Sequence, residues 1–447
     1  MKIILFSGFI LFCCVLGFVI PLRSQTSETE GRRLTAFPKF EINSFLSGEY
    51  TSQINLWYSD TFPARDVLLD INGEIKVLYG ITTEAFGGGN VDKDEIDNDE
   101  TFVWGPDIEE ESSESSSGGG EVTEYETETE TEEETEPIEQ EVIDGYYVNG
   151  NVGYELYYFD KDYADRYARS VMQAAINLNG IARVYDIVVP TSYSFYLSDE
   201  QVEMLGASNG KEAIDYVYRA INAYSEQLVE QGVLGTTVKT LDAYSCLNKH
   251  RDEYIYYRTD HHWTGLGAYY TSRMFLDEVD RGYPTLDEYT EHRIDNFLGS
   301  LYRHTQNINL KNNPDTVFAY ESPTVKTLTV LDRSTNEYIE DVIINPNIAS
   351  SNKYLCFSSG DRPYYCIHNE TVNDGSAILV IRESYGNAFL PMIADSYEYV
   401  YAIDYRFWNE DLVAFVQDNS IDTVLFLNNI MATSTYYNIW TMERCIN

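Results

Sequence analysis

The chain has 447 residues, 43% of them hydrophobic, so it is long enough to build more than one hydrophobic core. Its formal net charge of −43 comes from 73 acidic and 30 basic residues. This balance excludes nucleic acid as a partner, because phosphate binding requires clustered Lys and Arg. Between Asp92 and Asp144 there are 23 Asp or Glu and one Lys, so about half of the net charge lies in one short stretch.

The N-terminus predicts a membrane segment. Residues Ile3 to Ile20 carry no charge and are followed by Pro21-Leu22-Arg23. At 1.5 Å per residue these eighteen positions span roughly 27 Å, close to the hydrocarbon thickness of a bilayer. We therefore expect a signal anchor over residues 1–23, with the remainder of the chain outside the cell. The alternative is a cleaved signal peptide and secretion of the rest.

Residues 24–86 form the N-terminal part of the expected ectodomain, and apolar residues at three- and four-residue steps predict helices there. Residues 87–141 are acidic and of low complexity, with too little apolar area to offset chain entropy, and are predicted to be a disordered insertion. A solvated spacer is the simplest function for such a stretch. Within it, Phe102-Val103-Trp104 is a short apolar island that is able to dock on a folded part.

Alternating strand and helix patterns predict an α/β fold over residues 142–440. Buried-strand patterns occupy residues 184–190, 236–241, 377–381, 399–403 and 423–427. Helical patterns occupy residues 162–178, 211–231, 265–279, 386–394 and 411–417, with Thr264 as the expected N-cap of the third. Crossovers at this spacing give a parallel sheet covered by helices on both faces. Residues 297–374 differ: segments 325–331 and 338–344 predict a small antiparallel, β-rich insertion.

Four cysteines lie beyond the membrane segment: Cys246, Cys356, Cys366 and Cys445. An even count in an oxidising compartment permits two disulfides, and Cys356 with Cys366 closes the shortest loop. The alternative is that the four are unpaired core residues. There is no C-x-x-C pattern, so the cysteines do not suggest a zinc site.

Ser384 follows an apolar strand pattern and precedes a helix pattern, which places it at the carboxyl edge of the predicted sheet. The N–H groups at such a helix start favour negative charge, so Gly386 and Asn387 are candidate donors to an oxyanion. Taken alone, Ser384 is better explained as an ordinary helix N-cap.

The hexapeptide Thr259-Asp260-His261-His262-Trp263-Thr264 changes that assessment. In an extended run, Asp260 and His262 lean to one side, so the carboxylate orients the imidazole and His262 takes a proton from Ser384. His261 then points the other way, as a structural or substrate-facing residue. Trp263 is either a core residue or a wall on which a sugar ring stacks. Metal ligation is the rival use of Asp-His-His, but the other histidines show no ligand-like spacing.

The motif Asp260-His261-His262-Trp263 resembles the signature of the DHHW family, which is similar to the alginate O-acetyltransferases. The resemblance covers about residues 36–80 and 142–440. Its further landmarks are Phe62-Pro63-x-Arg65-Asp66, Asn296-Phe297-x-Gly299-Ser300 and Asp404-Tyr405-Arg406. It implies an SGNH-hydrolase-like (flavodoxin-like) domain in which Asp260, His262 and Ser384 are the catalytic triad. One position departs from the family pattern: the family-like Asp before the Ser is Glu383 here, which affects the expected geometry of the turn.

These observations predict an exported, membrane-anchored SGNH-like acyl-ester enzyme. The resemblance implies an O-acetyltransferase acting on a cell-envelope or extracellular polysaccharide. Because acetyl-CoA is not expected outside the cell, we expect a membrane-spanning partner to hand over the acyl group, and we expect no cofactor or metal. Transfer to water instead would make the protein a carbohydrate esterase. Two other interpretations stay open: a non-catalytic, glycan-binding envelope protein, and a surface adhesion or scaffold protein with the acidic stretch as its stalk.

Overall fold

The computed structural model describes residues 145–446 without a break. It also describes the strand at residues 140–143 and short stretches or single positions between residues 23 and 104. The predicted membrane segment (apart from Arg23) and most of the predicted acidic insertion lie outside these residues. Within the part of the chain that is described, no helix is long and apolar enough to cross a bilayer.

The helices follow the predicted order closely. In chain order they are α1 (Lys161–Asn177), α2 (Tyr193–Tyr196), α3 (Asp199–Met204), α4 (Gly210–Glu230), α5 (Ala243–Asn248), α6 (Gly265–Glu278), α7 (Ser300–Thr305), α8 (Ile308–Asn312), α9 (Gly386–Ile393), α10 (Leu412–Asp418) and α11 (Tyr436–Ile446). The predicted N-cap of α6 is confirmed, since the Thr264 side chain accepts from the Gly267 N–H.

The strands that the structure describes belong to four sheets. In chain order they are β1 (Thr26–Ser27), β2 (Arg32–Arg33), β3 (Gln140–Ile143), β4 (Tyr146–Asn149), β5 (Val152–Glu155), β6 (Arg183–Val189), β7 (Lys239–Thr240), β8 (Thr290–Phe297), β9 (Asp315–Glu321), β10 (Lys326–Asp332), β11 (Glu337–Asp341), β12 (Tyr364–Asn369), β13 (Ala377–Arg382), β14 (Tyr399–Asp404) and β15 (Thr423–Asn429). Besides the main sheet, β1 pairs with β2, β8 pairs with β9, and β3, β4 and β5 form an antiparallel sheet.

The main sheet, as far as the chain is described, has eight strands in the order β11-β10-β12-β14-β13-β15-β6-β7. The last five are parallel, as predicted; Leu379 on β13 lies opposite Tyr401 on one side and Val424 on the other. Within the predicted insertion, β9 pairs antiparallel with β8 outside the main sheet, whereas β10, β11 and β12 are antiparallel strands that do not form a separate unit. They extend the parallel sheet beyond β14 and make it mixed.

Each face of the main sheet is covered by its own hydrophobic cluster. Along β13, Leu379 and Ile381 point to one face and Ile378 and Val380 to the other, as the two-residue period of a strand requires. The first face packs against α1, α4 and α11, and the second against α6 and α9. The predicted arrangement, helices on both sides of a parallel sheet, is therefore confirmed.

Helix α9 has a proline in its interior. Pro391 has no N–H to donate to the carbonyl oxygen of Asn387, four residues earlier. The Ser358 hydroxyl donates to that oxygen instead, at 3.0 Å. The missing helical bond is thus replaced by one from a loop, and α9 is tied to the segment that precedes β12.

The expected disulfide between Cys356 and Cys366 is wrong, since the four described cysteines are free thiols. The reason is the strand period. Cys366 on β12 packs with the cluster on one face of the sheet, whereas Cys356 is buried in the cluster on the other face, with the neighbours Tyr365 and Ile367. The sheet lies between the two sulfur atoms, so a bridge between them is geometrically excluded.

We expect these four thiols to be alkylated by iodoacetamide in denatured protein that has not been reduced. Peptide mapping by mass spectrometry, with and without prior reduction, measures the labelled fraction at each position. Labelling of Cys356 and Cys366 that required reduction would contradict the assignment.

Candidate active site

The site lies at the carboxyl edge of the parallel strands. Ser384 occupies the turn between β13 and α9, and the hexapeptide occupies the connection between α5 and α6. Residues 258–262 form consecutive bends rather than an extended strand. Open α/β sheets collect functional groups at this edge, because loops and helix starts converge there.

The structure brings Asp260, His262 and Ser384 into one hydrogen-bonded chain. His262 Nδ1 lies 2.6 Å from Asp260 Oδ1, and His262 Nε2 lies 2.8 Å from Ser384 Oγ. The carboxylate accepts only, so Nδ1 carries the proton towards Asp260 and Nε2 is left to accept from the serine hydroxyl. Asp260 and His262 are 2% and 5% exposed, so this chain of bonds is shielded from bulk water.

Asp260 is held from several directions. Its Oδ1 also accepts the His262 backbone N–H at 3.0 Å, and its Oδ2 accepts the Ser300 N–H at 2.8 Å. Burial opposes its ionisation, but the charge and hydrogen bond of His262, with His261 and Arg303 nearby, hold the pKa of Asp260 well below its usual range. The carboxylate therefore stays ionised and fixes the imidazole.

A second buried carboxylate, Asp315 at the start of β9, anchors the hexapeptide itself. Its Oδ2 accepts the Thr259 N–H at 2.7 Å and the Thr259 hydroxyl at 2.6 Å. The same threonine oxygen accepts the Gly299 N–H at 3.1 Å. The start of β9 and the connection between β8 and β9 thus fix the conformation of the loop that carries Asp260 and His262.

The imidazole of His262 is also fixed by stacking. The ring of Tyr354 lies parallel to it, with centroids 3.8 Å apart and planes 13° apart. Tyr354 is 1% exposed and belongs to the 3-10 helix Lys353–Cys356. The role of Tyr354 is not predictable from the sequence, because nothing in its local pattern distinguishes it from the many other tyrosines.

Glu383, the position that departs from the family pattern, holds the serine turn. Its Oε2 accepts the Tyr385 N–H at 3.1 Å and lies 3.1 Å from Ser384 Oγ, and its Oε1 accepts the Asn429 N–H at 3.0 Å. Burial raises the pKa of Glu383, and Arg406 and the two N–H donors oppose that rise. The Ser384 turn is thereby bonded to the end of β15.

The two predicted oxyanion donors, Gly386 and Asn387, make hydrogen bonds within the protein. The Gly386 N–H donates to the Glu383 carbonyl oxygen at 3.0 Å, and Asn387 Nδ2 donates to Asp361 Oδ1 at 2.8 Å. A Cβ at position 386 would lie 2.6 Å from the Arg382 side chain, so only glycine fits. Their role as oxyanion donors stays a prediction.

The predictions for His261 and Trp263 need correction. The ring of His261 does not point away: its centroid is 3.8 Å from that of His262, because the hexapeptide is bent. Its Nδ1 contacts the hydroxyl of Ser300. Trp263 is fully buried and its Nε1–H donates to the Tyr385 carbonyl oxygen at 3.0 Å. The sugar-stacking wall is therefore wrong, and the core alternative describes Trp263.

The ligand atoms of Asp260, His261 and His262 lie within 4.8 Å of one another, a grouping able to hold a metal ion. Those atoms already have partners in the site. Asp260 Oδ1 and His262 Nδ1 bind each other, Asp260 Oδ2 accepts the Ser300 N–H, and His261 Nδ1 contacts the Ser300 hydroxyl. The contacts favour the hydrogen-bonded chain over metal ligation.

Among the remaining landmarks of the resemblance, Asp404-Tyr405-Arg406 lies beside the same turn, whereas residues 64–66 of the first landmark lie outside the described residues. Arg406 bridges Asp404 (2.6 Å) and Asp361 (3.2 Å), and Asp361 accepts from Asn387 in α9. Arg382 is fully buried, stacks on the Tyr365 ring at 4.3 Å and lies 3.7 Å from Asp404. Distant sequence segments are therefore used to support one serine.

Comparison with known proteins identifies the family of this chain. A family model described as DHHW protein matches residues 30–403. The chain belongs to the DHHW family. Among proteins with curated descriptions, no match to the sequence was found.

Solved structures resemble this DHHW chain. A DHHW family protein from Eubacterium siraeum is 26% identical, with a TM-score of 0.59 over 68% of this chain and 97% of that one. Bacillus cereus PatB1, solved with a sulfonyl adduct, is 17% identical, with a TM-score of 0.51 over 67% of this chain and 97% of that one. The O-acetyltransferase domain of Pseudomonas putida AlgJ is 12% identical, with a TM-score of 0.34 over 67% and 96%. The first two share the fold with this DHHW chain.

Gly299→Ala tests how tightly Asp260 is held. A Cβ at position 299 would lie 2.1 Å from the Asp260 Cβ and 2.4 Å from its Oδ2. We expect the substitution to lower the free energy of unfolding by about 1–3 kcal/mol, measured by chemical denaturation. The control is Gly282→Ala, which has no neighbour within 4 Å. Equal losses in the two variants would contradict the packing of Asp260 against Gly299.

Proposed function

We propose that this protein is an acyl-ester enzyme with Ser384 as nucleophile, His262 as general base and then general acid, and Asp260 as the residue that orients His262. The observation that carries the proposal is the chain of two hydrogen bonds, 2.6 Å from Asp260 to His262 and 2.8 Å from His262 to Ser384. This is the arrangement that makes a hydroxyl nucleophilic at neutral pH.

In the first step Ser384 Oγ attacks the acyl carbonyl carbon while its proton moves to His262 Nε2. The ionised Asp260 stabilises the imidazolium that forms. Collapse of the tetrahedral intermediate breaks the bond to the leaving group, which takes the proton from His262, and the acyl group remains on Ser384. His262 becomes positively charged beside the buried carboxylate of Asp260. The attraction between these two charges is stronger in the protein interior than in water.

In the second step an acceptor hydroxyl gives its proton to His262 Nε2 and attacks the acyl-serine. Release of the new ester returns Ser384 to its starting state. We propose that the acyl group is acetyl and that the acceptor is a hydroxyl of an extracellular or cell-envelope polysaccharide. Membership of the DHHW family, with its resemblance to the alginate O-acetyltransferases, supports this choice. If water replaces the sugar, the same site is an esterase.

The proposed setting is outside the cell, with the predicted signal anchor holding the enzyme at the membrane. Acetyl-CoA is an intracellular donor, so we propose that a membrane-spanning partner delivers the acetyl group. The acidic net charge of −43 is consistent with a neutral or cationic acceptor rather than a strongly anionic one.

Release of p-nitrophenol from p-nitrophenyl acetate tests the nucleophile. We expect Ser384→Ala and His262→Ala to lower the rate by on the order of 10³-fold or more, because each removes a member of the unit. His368→Ala is the control, because His368 lies on β12 and stacks on Tyr399, away from the chain of bonds. Adding oligosaccharides and separating the products by chromatography then distinguishes transfer from hydrolysis.

A sulfonyl fluoride gives a second measurement that needs no acceptor. We expect phenylmethanesulfonyl fluoride to label Ser384 in the wild-type protein, to leave Ser384→Ala unlabelled, and to react far more slowly with His262→Ala. Intact mass and peptide mapping locate the adduct. A wild-type protein that is neither labelled nor active would favour the glycan-binding module over the enzyme.

A further inference from the structure

One face of α4 contacts the apolar island of the acidic stretch. The ring of Phe102 lies edge-on to Tyr216 (centroids 5.3 Å apart) and Tyr224 (5.9 Å). The ring of Trp104 lies edge-on to Tyr224 (5.7 Å), and its backbone N–H donates to Gln227 Oε1 at 2.9 Å. The prediction that the island docks on a folded part is therefore confirmed.

The surface that receives the two rings is shaped by the α/β unit itself. Tyr216, Tyr224 and Gln227 are eight and three residues apart, so they share one face of a helix. The Tyr216 hydroxyl donates to Asp165 of α1 at 2.9 Å, and its ring contacts Phe159 at 5.1 Å. Tyr216 and Tyr224 are 0% and 2% exposed, and both island rings pack against the same core cluster. The receiving surface is thus fixed by contacts that do not involve the island.

Charge attraction does not explain this contact. Residues 105–139 contain 15 Asp or Glu and no Lys or Arg, and residues 145–447 contain 41 acidic and 22 basic residues, a net charge of −19. Like charges repel, so the acidic stretch is pushed away from the unit. Burial of two aromatic rings and one hydrogen bond to a backbone N–H supply the attraction instead.

We infer that α4 carries a docking surface whose partner is the Phe102–Trp104 segment of the same chain. The segment 105–139, which carries most of the acidic residues of the stretch, is then bounded by the α/β unit at both ends, by Trp104 on α4 and by Gln140 in β3. It is a loop closed on one unit, not a spacer that separates two parts. The reach between the N-terminus and the unit is set by the residues that precede Phe102. This inference does not depend on the proposed enzyme activity.

Limited proteolysis of the full chain with chymotrypsin tests the docking. The bonds after Phe102 and Trp104 are cleavage sites by sequence, and the bond after Tyr125, in the same stretch, is an internal reference. We expect Gln227→Ala and Tyr224→Leu, which leave all three sites unchanged, to raise cleavage at Phe102 and Trp104 relative to Tyr125, by about tenfold when combined, because protection depends on the docked state.

Trp440→Ala is the matched control: it removes a tryptophan that is 44% exposed on α11 and leaves the α4 face unchanged. We expect no change in the ratio of cleavage rates. Gln227→Ala removes a partly exposed acceptor, so the test holds even if Tyr224→Leu is unstable. Equal ratios in the wild type, Gln227→Ala and the double variant would overturn the inference.

Salt gives an independent check on the physical basis. Added NaCl screens repulsion between the acidic stretch and the acidic unit, so protection of Phe102 and Trp104 should stay the same or increase. Protection that fell as salt rose would show that charge attraction holds the segment, and the apolar docking surface would be wrong.

Discussion

The buried carboxylate of Asp260 is the constraint on which the rest of the site depends. A charge removed from water costs several kcal/mol unless each of its oxygens is compensated. Here one oxygen binds the imidazole and backbone N–H of His262, and the other binds the Ser300 N–H. That second bond requires the chain after β8 to approach Asp260 closely, which is why Gly299 precedes Ser300. The bent loop and the glycine are thus linked to the compensation of one desolvated charge.

Glu383 fixes the serine turn in the same way that Asp315 fixes the hexapeptide. Both are buried carboxyl groups that accept backbone N–H donors from a loop with no regular hydrogen bonding of its own. A glutamate is one methylene longer than the aspartate typical of the family, and it reaches the backbone of Asn429 at the end of β15. The departure from the family pattern is therefore compatible with a fixed turn. In this buried position the pKa of the Glu383 carboxyl group is raised by desolvation.

The sequence predicts the parts of this molecule that depend on local pattern. The parallel strands are short apolar runs between amphipathic helices, and Asp260 and His262 are two positions apart, so both were identifiable. Tyr354 and Asp315 were not, because their roles arise from contacts with segments far away in sequence. The pairing of β12 with β14 and the opposite faces of Cys356 and Cys366 also depend on tertiary register. The predicted orientation of His261 is wrong because it requires an extended chain, whereas residues 258–262 bend.

The edges of the mixed sheet have a consequence for solubility. An unpaired edge strand is a template on which another chain can add, and long, apolar edges promote aggregation. β7, at one end, is two residues long, so it offers few free backbone groups. β11, at the other end, is longer but exposed, and three of its five residues are Glu337, Glu340 and Asp341. A second copy that aligned with this edge would bring like charges together, so the strands that extend the sheet also keep neighbouring molecules apart at high concentration.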